Sequence, residues 1–110
     1  MADVLLGLDV LKENNFCQVS GRTVGLVINA ASVNSSFIST VNLFQTAEKV
    51  TLAALFGPQH GLWGETQDNM VEWGGFRDKR TGLPVYSLYG KTREPQPEML
   101  ADIDCLVIDL

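Results

Sequence analysis

Four short runs of apolar residues stand out along the chain. They cover Thr23 to Ile28, Val50 to Phe56, Pro84 to Leu88 and Cys105 to Leu110. The first, second and fourth runs are nearly continuous in Val, Leu, Ile and Ala, a pattern that is typical of strands covered on both faces. The pattern therefore predicts four strands of one parallel sheet.

The segments between these runs are long enough for crossover helices, which parallel neighbours usually require. We predict helices near residues 9–15, 39–48 and 97–102. Ser39 or Thr40 can cap the second helix, and Pro97 suits the first turn of the third. The expected fold class is α/β, an open, doubly wound parallel sheet. Because the last run reaches Leu110 with no loop or helix after it, we expect residues 1–110 to form a partial amino-terminal domain, incomplete at the C-terminus.

The composition fits one globular domain and limits the classes of partner. Of 110 residues, 45% are hydrophobic and 19% are charged, and the net charge of −5 opposes binding to nucleic acid. Two cysteines and the single His60 cannot form a zinc site from soft ligands alone, so no metal is expected. With no leader and no membrane-spanning run in the sequence, we expect a cytoplasmic protein, unless a leader has been removed.

The segment from Gly57 to Leu83 is the main candidate for function. Its 27 residues have no helical or strand period, whereas connections of about 4–6 residues are usual. The segment contains two tryptophans and six glycines, and it begins after a strand, where open α/β sheets bind ligands. Its glycines do not match the dinucleotide-binding fingerprint, which disfavours a nucleotide cofactor.

Several polar residues in this segment and at the strand ends could carry chemistry. Glu65, Asp68 and Glu72 could supply the pair of carboxylates that most glycosidases use, although solvated surface charge is the commoner explanation of such a cluster. His60 could instead bond a neighbouring carbonyl in a turn. Three residues share the predicted carboxyl rim of the sheet, where each could also be a strand-end cap: Asn29, Tyr89 and Asp109.

Four ordered segments carry a resemblance to one family. They are Gly-Arg-Thr-Val-Gly-Leu-Val-Ile-Asn (21–29), Leu-Phe-Gly-Pro-Gln-His-Gly (55–61), Thr-Gly-Leu-Pro-Val-Tyr-Ser-Leu-Tyr-Gly (81–90) and Pro-Gln-Pro-Glu-Met-Leu (95–100). Together they resemble the amino-terminal domain of the exo-β-N-acetylmuramidases, glycoside hydrolases of peptidoglycan recycling. The resemblance implies a Rossmann-like first domain, a second domain missing from this chain, and an active cleft between the two.

The same resemblance implies an activity and a ligand. Family members release terminal N-acetylmuramic acid from peptidoglycan fragments without a nucleotide or metal cofactor. Because this chain would hold only one wall of the cleft, the isolated part is expected to be inactive. Self-association to a homo-oligomer is left open. Residues expected to bind the sugar are Asn29, Trp63, Asn69 and Tyr89, with Arg77 and Arg93 as candidates for the lactyl carboxylate, which suits a planar arginine fork. The alternative for both arginines is solvated surface charge.

One position departs from the family pattern. The usual Pro-Glu-His-Gly is Pro-Gln-His-Gly here, and the amide of Gln59 can neither protonate a leaving group nor attack an anomeric carbon. Glu65 is then the first candidate acid and Asp68 the second, with His60 beside them and the acetamido group of the substrate as a possible nucleophile. The alternatives are a sugar-binding module that does not cut, or a hydrolase of a different glycoside.

Overall fold

In the computed structural model, which describes residues 4–29, 31–57, 76–78, 81–88 and 94–110, the strands form one sheet in the order β3-β4-β2-β1-β5. The strands are β1 (Thr23–Ile28), β2 (Thr51–Gly57), β3 (Phe76–Arg77), β4 (Pro84–Ser87) and β5 (Cys105–Asp109). Strand β1 pairs in parallel with β2 and β5, and β2 pairs in parallel with β4. The prediction of four strands in one parallel sheet is confirmed.

Helices cover both faces of this sheet. They are α1 (Gly7–Glu13), α2 (Thr40–Thr46) and α3 (Pro97–Leu100), with a 3₁₀ helix at Cys17–Val19 before β1. All three predicted helices are present, each within a few residues of its predicted bounds. Across the described ranges, no helix has the length and apolar character needed to cross a membrane.

The alternation of side chains in β1 explains the two layers. Val24, Leu26 and Ile28 point to one face, where they pack with α1, α2 and the 3₁₀ helix. Phe16 and Phe44 meet there edge to face, with ring centroids 5.1 Å apart. On the other face, Val27 packs with Ala54 and Phe56 of β2 and with the apolar side chains of α3 and the turn that follows it, which are Met99, Leu100 and Ile103. The sheet is therefore doubly wound.

Gly25 allows the second face to pack closely. A Cβ atom added at this position would lie 2.8 Å from Cδ1 of Ile103 and 3.0 Å from Cε2 of Phe56. Phe56 is fully buried, so its ring has little freedom to retreat. The absence of a side chain in the middle of β1 thus lets the α3 side of the core approach the sheet.

One expectation about the sheet was wrong. The segment from Gly57 to Leu83 was predicted to contain no strand, yet β3 forms in it as a two-residue antiparallel partner of β4. So short a strand is fixed by the following turn, in which Asp78 accepts from the N–H of Thr81, and it leaves no sequence period. On strand β5, Leu106 and Ile108 on one face are 39% and 66% exposed.

The carboxylate of Asp9 fixes the start of α1 and ties the helix to the loop after β1. Its Oδ2 accepts from the N–H of Leu6 at 2.9 Å, and its Oδ1 accepts from the N–H and hydroxyl of Ser35 at 3.2 and 2.9 Å. The Leu6 N–H lowers the pKa of Asp9 most; Ser35 and Lys12 act in the same direction, and burial opposes them. The charged form of Asp9 therefore stabilises the fold.

This pKa shift predicts a loss of stability in acid. Because the pKa of Asp9 in the folded state lies below its ordinary value of 3.8, the stabilisation is present above that value and is lost as the pH falls through the folded pKa. Asp9→Asn should lower the thermal midpoint at pH 7, and the two curves should converge below pH 3.8. Glu13→Gln, on the exposed side of the same helix, is the matched control; an equal effect of both changes would contradict the assignment.

Candidate functional site

The order of the strands identifies the edge of the sheet where a ligand is expected. The chain runs outward from β1 through β2 to β4 and then returns to β5 on the other side of β1. In open α/β sheets, ligands bind outside the carboxyl ends of the strands at the point where this order reverses. Here that point lies between β1 and β5, where Ile28 pairs with Asp109. The predicted rim residues Asn29 and Asp109 therefore flank it.

The carboxamide of Asn29 is held in one orientation. Its Oδ1 accepts from the N–H of Ala31 at 2.9 Å. A backbone N–H can only donate, so the oxygen of the carboxamide must face the loop and the nitrogen must face away from it. No acceptor for Nδ2 is present within the parts of the chain that the structure describes. The NH₂ group of Asn29 therefore points away from the loop at the reversal point.

The buried hydroxyl of Ser32 connects the ends of β1 and β5. Its oxygen accepts from the N–H of Asn29 at 3.0 Å and lies 3.3 Å from Oδ1 of the same residue. The hydroxyl also donates to the carbonyl oxygen of Asp109. We call this arrangement the Ser32 bridge. It joins the two strands beyond the last residue pair of their ladder.

Thr40, the first residue of α2, extends this network to the side chain of Asp109. Thr40 is completely buried, and its N–H donates to the carbonyl of Ser32 at 3.0 Å. Its hydroxyl lies 3.1 Å from the same carbonyl and 2.5 Å from Oδ2 of Asp109. The hydroxyl has a single hydrogen, and the shorter contact indicates that it donates to the carboxylate, whose charge strengthens the bond. The position of Asp109 is therefore set from inside the core.

Asp109 also lines a groove of about 530 Å³ between α1 and β5. The other walls are almost entirely apolar, with Leu8 and Leu11 from α1 and Val107 from β5 among them. The carboxylate thus lies between the polar reversal point and an apolar surface. A ligand or protein surface that fills this groove would therefore need to be mostly apolar and to offer one hydrogen-bond donor to Asp109.

Arg77 is not brought to this edge. It lies in β3, opposite Pro84 at the start of β4, and one of its guanidinium nitrogens donates to the carbonyl of Gly82. Strand β3 is at the end of the sheet farthest from β5, and Pro84 precedes the carboxyl end of β4 by three residues. That offset is roughly 10 Å along the strand. The structure therefore separates Arg77 from Asn29 and Asp109, and its role as an anion-binding residue stays a prediction.

Most of the predicted site residues lie outside the described residues. Their roles remain predictions, and they are Gln59, His60, Trp63, Glu65, Asp68, Asn69, Tyr89 and Arg93. Their positions in the chain are nevertheless informative, because β2 ends at Gly57 and β4 at Ser87, and these two residues are paired. The segments that carry the candidates thus follow the carboxyl ends of two adjacent strands.

Sequence reasoning missed the part that Ser32 and Thr40 play in this hydrogen-bond network. Ser32 was not singled out, although a serine three residues after a strand-end asparagine can form local side-chain to backbone bonds. Thr40 was considered only as a cap of α2, whereas the cap is Ser39, which accepts from the N–H of Asn42 at 3.2 Å. The contact between Thr40 and Asp109 joins residues 69 apart in sequence, so no local pattern reveals it.

These features define an open, doubly wound α/β domain with a polar carboxyl edge at the point where its strand order reverses. The family model described as "Exo-beta-N-acetylmuramidase NamZ, N-terminal" matches residues 24–110. The chain belongs to this family.

Similar proteins agree with this assignment. The chain is 44% identical over 107 residues to the peptidoglycan β-N-acetylmuramidase NamZ of Bacillus subtilis. The matched region covers 97% of this chain and 26% of that protein. A crystal structure of a DUF1343 family protein from Bacteroides fragilis matches 96% of the chain with 49% identity and a TM-score of 0.83. A second such protein from that organism, 21% identical, matches 98% with a TM-score of 0.72 and supports the fold. The chain spans about a quarter of the length of these relatives.

Proposed function

We propose that the full-length protein, meaning a polypeptide of the relatives' length, is an exo-acting glycoside hydrolase that releases terminal N-acetylmuramic acid from peptidoglycan fragments. The observation that carries this proposal is the 44% identity to an enzyme named for β-N-acetylmuramidase activity, spread over 97% of the chain. The polar edge between β1 and β5 supports it, because a sugar needs both donors and acceptors at its binding site.

This domain would supply one wall of the active cleft, and a second domain the other. Residues 1–110 alone would then be inactive, because hydrolysis needs groups on both sides of the glycosidic bond. Within this wall, Glu65 is the first candidate for the acid and Asp68 the second, since Gln59 stands where the family usually has a carboxylate. His60, which follows Gln59 directly in the sequence, is also a catalytic candidate.

Substrate binding would use the fixed donors of Asn29 on one side of the cleft. The two N–H groups of its carboxamide suit sugar hydroxyl or carbonyl oxygens, and their direction is set before the ligand arrives. Trp63, Asn69 and Tyr89 are proposed as further sugar contacts. Arg77 and Arg93 are the candidates for the lactyl carboxylate, which distinguishes muramic acid from glucosamine.

The proposal is tested by assaying the full-length protein on two matched glycosides, one of N-acetylmuramic acid and one of N-acetylglucosamine, with the same leaving group. We expect release of the leaving group from the muramic substrate and a much lower kcat/KM for the glucosamine substrate. Equal rates would argue for a different glycoside as substrate. Turnover of neither, in a protein that is folded by circular dichroism, would contradict the proposal.

A second function is favoured by one specific residue. Gln59 cannot transfer a proton, so a protein in which no other acid has replaced it would bind the sugar without cutting it. In that case calorimetry would detect binding of N-acetylmuramic acid while no product accumulates. Binding with no turnover would thus identify a non-catalytic sugar-binding module.

A further inference from the structure

Phe37 combines two unfavourable properties. Its side chain is 86% exposed, and its backbone has a φ of 62°. The left-handed region is costly for a residue with a bulky side chain and is usually occupied by glycine or asparagine. Because the phenyl ring is exposed, it also contributes no hydrophobic stabilisation to the fold. Among the described residues, no packing contact compensates for either cost.

The backbone around Phe37 is nevertheless tightly held. Val33 and Ser39 form an antiparallel bridge, and we call residues 33–39 the Phe37 hairpin. Inside it, the buried Oδ1 of Asn34 accepts from the N–H groups of Ser36 and Ile38, both at 2.9 Å. The N–H of Phe37 itself donates to the carbonyl of Asn34 at 2.9 Å. The left-handed conformation is therefore built by specific bonds.

The hairpin is also anchored to the rest of the domain at both of its sides. Ser35 donates twice to the buried carboxylate of Asp9 in α1. At its base, the hairpin is flanked by Ser32 and Thr40, the two buried residues that connect Asn29 with Asp109. The same framework thus supports the donors of Asn29 and the exposed ring of Phe37.

The hairpin belongs to the connection from β1 to α2, so it lies at the carboxyl edge of the sheet. Phe37 is three residues from Thr40, which limits the distance between their Cα atoms to about 11 Å. Strained residues that are over-determined by their surroundings cluster at ligand sites. An exposed aromatic ring on a tightly held backbone, within the same connection as the residues that fix the carboxamide of Asn29, is the combination expected of a sugar-binding surface.

We propose that Phe37 is a platform on which a pyranose ring of the amino-sugar substrate stacks, next to the donors of Asn29. This inference rests on the proposed function. The face of a phenyl ring is electron-rich, and the C–H groups on one face of a pyranose are weakly positive, so the two surfaces attract each other. The ring has only two side-chain torsions, so binding orders it at low entropic cost.

The test compares Phe37→Gly, Phe37→Tyr and the wild type in the full-length protein. Glycine accepts a positive φ without a Cβ clash, so Phe37→Gly should leave the thermal midpoint unchanged or raise it. The same change should lower kcat/KM on the muramic glycoside about 10-fold, the order found when an aromatic platform for a nucleobase is removed. Phe37→Tyr keeps the ring and should stay within about twofold of the wild type.

Asn15→Gly is the matched control. Asn15 also has a positive φ, 54°, and is exposed, but it precedes β1 and lies at the opposite end of the sheet. We expect it to change neither kcat/KM nor sugar binding. A fall in the thermal midpoint with Phe37→Gly but not with Asn15→Gly would mean that Phe37 packs on the rest of the polypeptide, and it would overturn the inference. Unchanged kinetics in Phe37→Gly would overturn it as well.

Failure of the proposed function would be recognised separately. If the wild type hydrolyses no muramic glycoside but binds N-acetylmuramic acid or N-acetylglucosamine by calorimetry, the proposed hydrolysis is wrong while the platform is still tested. Phe37→Gly should then weaken that binding about 10-fold. If the wild type binds neither sugar, the platform is wrong too.

Discussion

Replacing the acid of the reaction is expected to lower kcat of the full-length protein about 10²–10⁴-fold, the contribution typical of a positioned proton donor. Glu65→Gln is the first variant and Asp68→Asn the second. KM should stay nearly constant, because the lost interaction belongs to the transition state. Asp102→Asn, which removes an exposed carboxylate after α3, should leave kcat unchanged. Initial rates on a muramic glycoside measure all three.

The opposite kind of substitution, which introduces a carboxylate, tests the role of Gln59. If Gln59 occupies the place of a catalytic glutamate and no neighbouring acid has replaced it, the wild type should turn over slowly and Gln59→Glu should raise kcat by a similar factor of about 10²–10⁴. Gln67→Glu adds a carboxylate to the same segment outside the motif, so it is the control for charge alone. Should Gln59→Glu, Glu65→Gln and Asp68→Asn all leave an active enzyme unaltered, the chemistry lies outside residues 57–75.

Gly25→Ala is expected to lower the free energy of unfolding by about 1–3 kcal/mol, as overpacking of a filled core does. The added Cβ would lie 2.8 Å from Cδ1 of Ile103 and 3.0 Å from the buried ring of Phe56, and at least one of them must shift. Gly25→Val should cost more. Denaturant unfolding of the full-length protein, monitored by circular dichroism, gives the difference.

A double mutant identifies the atoms responsible. Ile103→Val removes the Cδ1 atom that the new Cβ would meet, so it should recover part of the loss in Gly25→Ala. Gly7→Ala, where a Cβ meets nothing within 4 Å, is the control and should be neutral or slightly stabilising. Additive effects of Gly25→Ala and Ile103→Val would mean that the predicted clash is absent.

The strands of the parallel sheet could be predicted because their signal is local. An apolar run such as Thr23–Ile28 is nearly all buried, and its neighbours follow from the length of the connections. Strand β3 could not be predicted in this way, because two residues carry no period and the strand depends on the turn around Asp78. The start of α1 at Gly7 depends likewise on the bond from Leu6 to Asp9.

The candidate site could be predicted only as far as strand ends locate it. Asn29 and Asp109 lie at the same edge as expected, because both follow from the parallel arrangement. Their connection through Ser32 and Thr40 could not be foreseen, since those bonds join residues far apart in sequence. The unfavourable left-handed backbone of Phe37 could not be predicted from the sequence either, because only the structure shows its φ angle.

The Ser32 bridge has a mechanical consequence for this edge of the sheet. Since the hydroxyl of Ser32 joins the ends of β1 and β5, spreading the two strands apart to admit a ligand between them would break hydrogen bonds beyond their ladder. Thr40 restrains the same point from the core, because its hydroxyl donates to the carboxylate of Asp109. The carboxyl edge formed by β1 and β5 is therefore held in one arrangement by side-chain bonds as well as by the strand ladder.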